Sequence, residues 1–133
     1  MNSRRATGGR KPAPRCKALL LCERAIVEAG TGDVSLIGLI DTFVVPSFPA
    51  ALPAFSLFLQ LTDGIGRSSL FAEIHNLQDD EVVGRSGTVE LNWPGRLHKL
   101  NLIVQIPPVP VSHGGMYDLI AVVDGKELDR QKF

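Results

Sequence analysis

Three histidines, two cysteines, a run of acids and a single tryptophan are the residues through which this 133-residue chain could do chemistry. A hydrolytic triad needs a nucleophile, a base within hydrogen-bond reach and an acid that orients the base. His75 and His98 alternate with apolar neighbours in separate strand-like stretches, and His113 stands before Gly114-Gly115. No nucleophile elbow accompanies any of them, so their spacing favours surface and loop positions over catalysis. Zinc sites use two histidines one helical turn apart or paired Cys-x-x-Cys motifs, and neither occurs here. The expectation is no enzyme, no cofactor and no metal.

Asp79-Asp80-Glu81, with Asp63 and Asp124 in other loops, invites a calcium reading. Calcium needs six to eight converging oxygens, whereas Asp in a hairpin turn is favoured for its bonds to its own backbone. Gly64-x-Gly66 and Gly84-Arg85-Ser86-Gly87 lack the Lys-Ser/Thr ending and helix of a phosphate loop. Trp93 precedes Pro94-Gly95, and loops concentrate binding residues. Trp93, Asp79 and Asp80 are therefore the candidate ligand or partner contacts of the body, for a saccharide or for calcium. Tyr117 fits the corner role that tyrosines play in sandwiches. Pro107 and Pro110 have the spacing of a proline-rich ligand, but ending a strand is the simpler use.

The net charge of zero hides an asymmetry. Residues 1–17 carry Arg4, Arg5, Arg10, Lys11, Arg15 and Lys17 with no acid, so the rest of the chain is acidic. Such a division suggests an interaction tail, with Arg4, Arg5, Arg10 and Lys11 as its contacts. Without interleaved aromatics it is a weak nucleic-acid footprint, and any such binding would run through this tail alone. The reading is a flexible basic tail over residues 1–15 and one domain over residues 16–133.

At 44% apolar and 21% charged, the chain has the material for one core and is not disordered as a whole. Ala18–Cys22, a long aliphatic run, falls far short of the roughly 20 residues a membrane helix needs. Pro12 and Pro14 interrupt the basic start and that run is too short for a secretory signal, so a cytoplasmic location is expected. On one strand, Cys16 and Cys22 would be six positions apart on one face, roughly 20 Å at about 3.3 Å per residue. That is beyond disulfide reach, and both read as small apolar filler.

Positioning these residues falls to strands. Period-2 alternation recurs over Cys16–Glu28, Val34–Val45, Ala54–Thr62, Ser68–Leu77, Leu100–Ile106 and Met116–Val123. Gly30-Thr31-Gly32-Asp33, Asp63–Gly66, Gln78–Glu81 and Asp124-Gly125 are the turns, and residues 82–91 make one or two short strands. The second stretch is apolar on both faces near its middle, which predicts a strand covered on both sides. Three prolines between 46 and 53 make a crossover between sheets, with Phe48 and Leu52 plugging the core. About eight strands with short turns predict an all-β, two-sheet antiparallel β-sandwich of immunoglobulin-like type.

Cys22-Glu23-Arg24-Ala25-Ile26, Leu36–Asp41 and the Phe48-Pro49 crossover resemble an uncharacterised bacterial family of small β-sandwich domains, a domain of unknown function. Such chains close with Gly-x-Tyr, Asp-Gly and Leu, matched by Gly115-Met116-Tyr117, Asp124-Gly125 and Leu128. The resemblance runs from Lys17 to the end and implies a fold without a chemistry. Protein–protein contact, through self-association or in a larger assembly, is the expected mode of action, with ligand binding and hydrolysis as rivals. Deleting residues 1–15 removes five positive charges and little apolar surface. The thermal midpoint is expected to stay nearly unchanged, and any partner held by the tail to be lost, its binding to the intact chain weakening steeply with salt. Melting and sedimentation at low and high salt check this.

Overall fold

Phe55, Leu57, Leu59 and Leu61 are each at most 1% exposed. They alternate along strand β4 (Phe55–Thr62) as a half-buried strand requires. β4 lies between β1 (Arg15–Val27) and β8 (Leu100–Ile106), and β1 carries β2 (Val34–Leu39) on its other edge. The facing sheet is built on β5 (Gly66–Asn76), between β10 (Tyr117–Val123) and the short β6 (Glu81–Arg85) and β7 (Val89–Trp93). β11 (Lys126–Lys132) completes its edge beside β10. All these pairings are antiparallel. This is a computed structural model, and it describes residues 14–95 and 98–133. Among them there is no helix, and the fold is an all-β sandwich around one leucine-rich core.

Eleven strands replace the expected eight. Two of the additions come from the proline-rich segments: β3 (Ala50–Leu52) pairs with β9 (Val109–Val111) as a separate two-stranded ribbon. Pro110 sits opposite Ala51 there, tolerable because a three-residue ribbon asks little of its missing N–H. Leu52 plugs the core at 4% exposure, while Phe48 stays 46% exposed.

The second alternating stretch differs most from expectation. β2 stops at Leu39 and is an edge strand. Gly38 has φ +70°, and a Cβ there would lie 2.7 Å from the Glu23 side chain, so only glycine fits. The next residue after Leu39, Ile40, bonds through its N–H to the Leu21 carbonyl and turns into the core. Where the sequence predicts cover on both faces, Val34, Leu36 and Ile37 are only half-buried and Leu39 is 62% exposed.

The expected placement of the cysteines is also corrected. A bulge at Lys17 sets Cys16 opposite Leu61 but Ala18 opposite Gln60, shifting the side-chain alternation by one. Cys16 thus faces the core beside Leu61, while Cys22 pairs with Ser56 on the outer face. Both thiols are unbridged. Burial, with the Asp129 carboxylate adding to it, pushes the Cys16 thiol up to about 11, and burial raises Cys22 too. Neither is activated as a nucleophile.

Leu57→Ala is expected to cost about 2–5 kcal/mol, because a wholly buried side chain leaves a cavity. Leu20→Ala, on the outer face at 40% exposure, should cost well under half as much. Urea unfolding of both variants measures the difference.

Candidate functional site

The chain concentrates its irregular backbone at the end of the sandwich where β4 begins and β5 ends. Loops 40–49, 77–80 and 112–116 meet there: Leu77 donates its N–H to the Met116 carbonyl at 3.1 Å, and Gly114 lies against the Phe48 ring. Beneath them Phe43 packs on Phe55 and Phe133 at centroid distances of 5.2 and 5.6 Å, and Tyr117 stacks on Phe133 at 5.9 Å. The Tyr117 hydroxyl donates to the His113 carbonyl, four residues upstream, at 2.8 Å. That is the corner bond expected of it, and it fixes the backbone that carries His113.

His113 gathers a polar cluster. Its Nδ1 lies 2.9 Å from the Gly114 carbonyl, and its Nε2 lies 2.8 Å from Asp79 Oδ2 and 3.0 Å from Asn76 Nδ2. Asn76 Nδ2 also donates to Asp79 Oδ2 at 3.1 Å. The bond to Asp79, with help from the Gly114 carbonyl, raises the His113 pKa. No Ser, Thr or Cys bonds to a histidine ring among the described residues, so the pair orients loops without activating a nucleophile.

Two hollows adjoin the cluster, and a third shares Thr42 and Phe43 with the first. One of about 70 Å³ lies between Phe43, Phe48, Tyr117 and Phe133. A cleft of about 220 Å³ is lined by Asn76, Asp79, Glu81 and Ser112 among others, and a third of about 360 Å³ lies between Glu23, Val44 and Pro53.

The residues singled out in the sequence separate in space. Trp93 is 5% exposed in the core, its indole so close to Gly64 that a Cβ there would come within 2.0 Å of it. It offers no platform to a sugar ring. Asp79 is held by His113 and Asn76, whereas Asp80, at φ 54°, shapes the turn and borders an open groove beside Phe71. Asp63 and Asp124 lie in turns at the opposite end, Asp124 accepting the Ser69 N–H at 2.9 Å. The acidic loops therefore do not converge, and no cluster suited to a metal occurs among the described residues. His75 bonds Glu73 at 3.3 Å on a sheet face, and His98 lies outside the strands. Arg4, Arg5, Arg10 and Lys11 fall outside the described residues.

Sequence reasoning missed two features. One is the meeting of His113 with Asp79, 34 positions away. The other is Asp118, wholly buried on β10 yet bonded by Arg130 Nη1 at 2.8 Å, with Lys132 Nζ 3.7 Å off its other oxygen. Arg130 also grips Glu127 and draws its pKa down. Nothing local in Tyr117-Asp118-Leu119 announces that partner.

A third feature is an arm. From Arg15 to Cys22, β1 pairs with β4; from Arg24 to Val27 it pairs with β2 alone. The two-stranded hairpin so formed outruns the sheet. One face presents Ile26 and Ile37, the other Ala25, Val27, Val34 and Leu36. None of these belongs to the core or packs against it.

A family model described as a family of unknown function, DUF6941, matches residues 17–133. The chain belongs to this family. Neither the curated proteins nor the solved structures include a match. For this DUF6941 chain, the loop-end cluster and the arm are accordingly read from their own geometry. Tyr117→Phe removes only the corner bond and is expected to cost about 0.5–1.5 kcal/mol without altering the fold. Thermal unfolding beside far-UV circular dichroism measures it.

Proposed function

We propose that the domain is a non-catalytic contact module that assembles with a second copy of itself through the β1–β2 arm. The carrying observation is that the arm is apolar on both faces and is covered by neither sheet. Ile26 and Val27 are 48% and 55% exposed, and Leu39 at its base is 62% exposed. A lone two-stranded hairpin is marginal in water, so an arm built this way gains stability when another surface covers it.

The choice of a second copy follows from charge and edge. The outer face of the arm's sheet carries Leu20, Ile26, Ile37, Phe58 and Ile103 with amides and hydroxyls between them; its charges are Arg24 on the arm and Arg15, opposite Thr62, at the far end of β1. Around Ile26 and Ile37 such a face brings only Arg24 toward its own copy, so like-charge repulsion there is small. The facing sheet, by contrast, carries Glu73, His75, Arg85, Glu127 and Arg130 on its outside. The unpaired edge of β2, Val34-Ser35-Leu36-Ile37, holds none of the Lys or Pro residues that keep edges apart. Antiparallel pairing of two β2 edges about a two-fold axis would join two four-stranded sheets, an isologous contact.

Sedimentation equilibrium of the full chain is expected to show a dimer or a higher even-numbered assembly. Ile37→Lys and Leu36→Lys should weaken it at least about tenfold, about 1.4 kcal/mol, while leaving the melting of the core almost unchanged. A wild-type chain that stays monomeric at several hundred micromolar would end this reading.

A further inference from the structure

We propose that His113 is a proton-operated latch that fastens the 77–81 turn to the 112–116 loop and so opens or closes the cleft between them. The warrant is a conflict of partners at one atom. His113 Nδ1 faces the Gly114 carbonyl, which only accepts, so this nitrogen keeps its hydrogen in either charge state. Nε2 faces two groups with opposite demands. Asp79 Oδ2, at 2.8 Å, accepts; Asn76 Nδ2, at 3.0 Å, donates. The amide cannot turn over to resolve this, because Asn76 Oδ1 is engaged by the backbone N–H groups of Gln78 at 2.9 Å and Asp79 at 3.4 Å.

Each protonation state therefore satisfies a different pair. As imidazolium, His113 donates from Nε2 to Asp79, and Asn76 gives its hydrogen to the same carboxylate. When the proton leaves Nε2, its lone pair faces that of the carboxylate, and Asn76 becomes its natural donor. Asp79 then has every reason to swing away, taking the turn with it.

The surroundings favour the charged, closed state over the neutral one. Asp79 and Glu81 are the charged groups that face the ring, both from the turn and the strand after it. Loops 40–49 and 107–116 bring no lysine or arginine. Tyr117 holds the far side of the hinge, its hydroxyl on the His113 carbonyl. Asp79, Asn76 and Ser112 line the 220 Å³ cleft, so movement of the turn changes its mouth.

The direction with pH follows from linkage. A histidine whose pKa is raised in the closed state stabilises that state fully below its ordinary value, about 6.5, and loses the contribution as pH rises through the raised value. Each unit of elevation makes opening of the neutral form about tenfold more favourable than opening of the protonated form.

The test uses the full chain. Histidine NMR titration gives the His113 midpoint, and hydrogen exchange of the Leu77–Glu81 amides, corrected for intrinsic rates, is followed from pH 5 to 9. The expected result is a His113 midpoint above 6.5 and a rise in exchange of that turn across the same midpoint, about tenfold for each unit by which the midpoint exceeds 6.5. His113→Gln should abolish the step, Asp79→Asn should lower the midpoint and flatten the step, and His75→Gln should leave both unchanged. A turn whose exchange ignores the His113 midpoint, or a step that survives in His113→Gln, overturns the latch.

Discussion

Every side chain on the inner face of β4 is buried to 1% or less, and the strand begins at Phe55, two residues after Pro53. A central strand needs its backbone N–H groups for the ladder, and proline has none. The sheet's centre therefore cannot extend past Phe55 on that side. β1, its neighbour, continues for several residues beyond the last β4 partner, Ser56 opposite Cys22. The only strand left to pair with it is the one it folds back to form. From the length mismatch between β1 and β4 come the arm, its two uncovered faces and the open edge of β2.

The same truncation shapes the loop end. With the central strand stopped, the chain must cross between sheets over exposed backbone, and its polar groups are met by side chains. Asn76 Oδ1 takes two N–H groups of the turn, and Tyr117 takes the His113 carbonyl. These bonds hold His113 within reach of Asp79. The loops there carry Asp41, Asp79 and Asp80, with Glu81 opening β6, and no lysine or arginine, so the imidazole is the basic side chain among them. The opposite end has turns with Asp63, Asp124 and Gly125 at positive φ.

The two sheet exteriors follow from how they are covered. β10 is buried on both faces, so even Asp118 lies at 0% exposure and must be held by Arg130 from the edge strand β11. A buried carboxylate stripped of such a partner is costly, which ties the end of the chain to the sheet. On the other sheet the exterior carries only Arg15 and Arg24, toward the two ends of β1, as charges of its paired strands, and its polar residues pair with each other, Gln60 with Asn101 and Ser56 with Gln105. One exterior is built of ion pairs and the other of aliphatic side chains and amides. That difference is what supports the proposed contact of the arm's sheet with a second copy.

The fold class, most strand positions and the core face of β4 were written in local alternation, because a strand with one buried face repeats every two residues wherever it lies. Turn chemistry fixed Asp124-Gly125, and a tyrosine after a Gly-Gly loop indicated the corner bond. The bulge at Lys17 was not legible, since one extra residue reverses the alternation without changing its appearance; Cys16 and Cys22 exchanged their shared face for opposite ones. β2 misled for a related reason: a strand apolar on both faces has the same sequence whether its own domain covers it or leaves it at an edge. Only the tertiary structure, which ends β4 at Phe55 and leaves β2 on an edge, decided between those. It alone also brought Asp79 to His113 and Arg130 to Asp118, because contacts between distant segments depend on strand order, which no local pattern encodes.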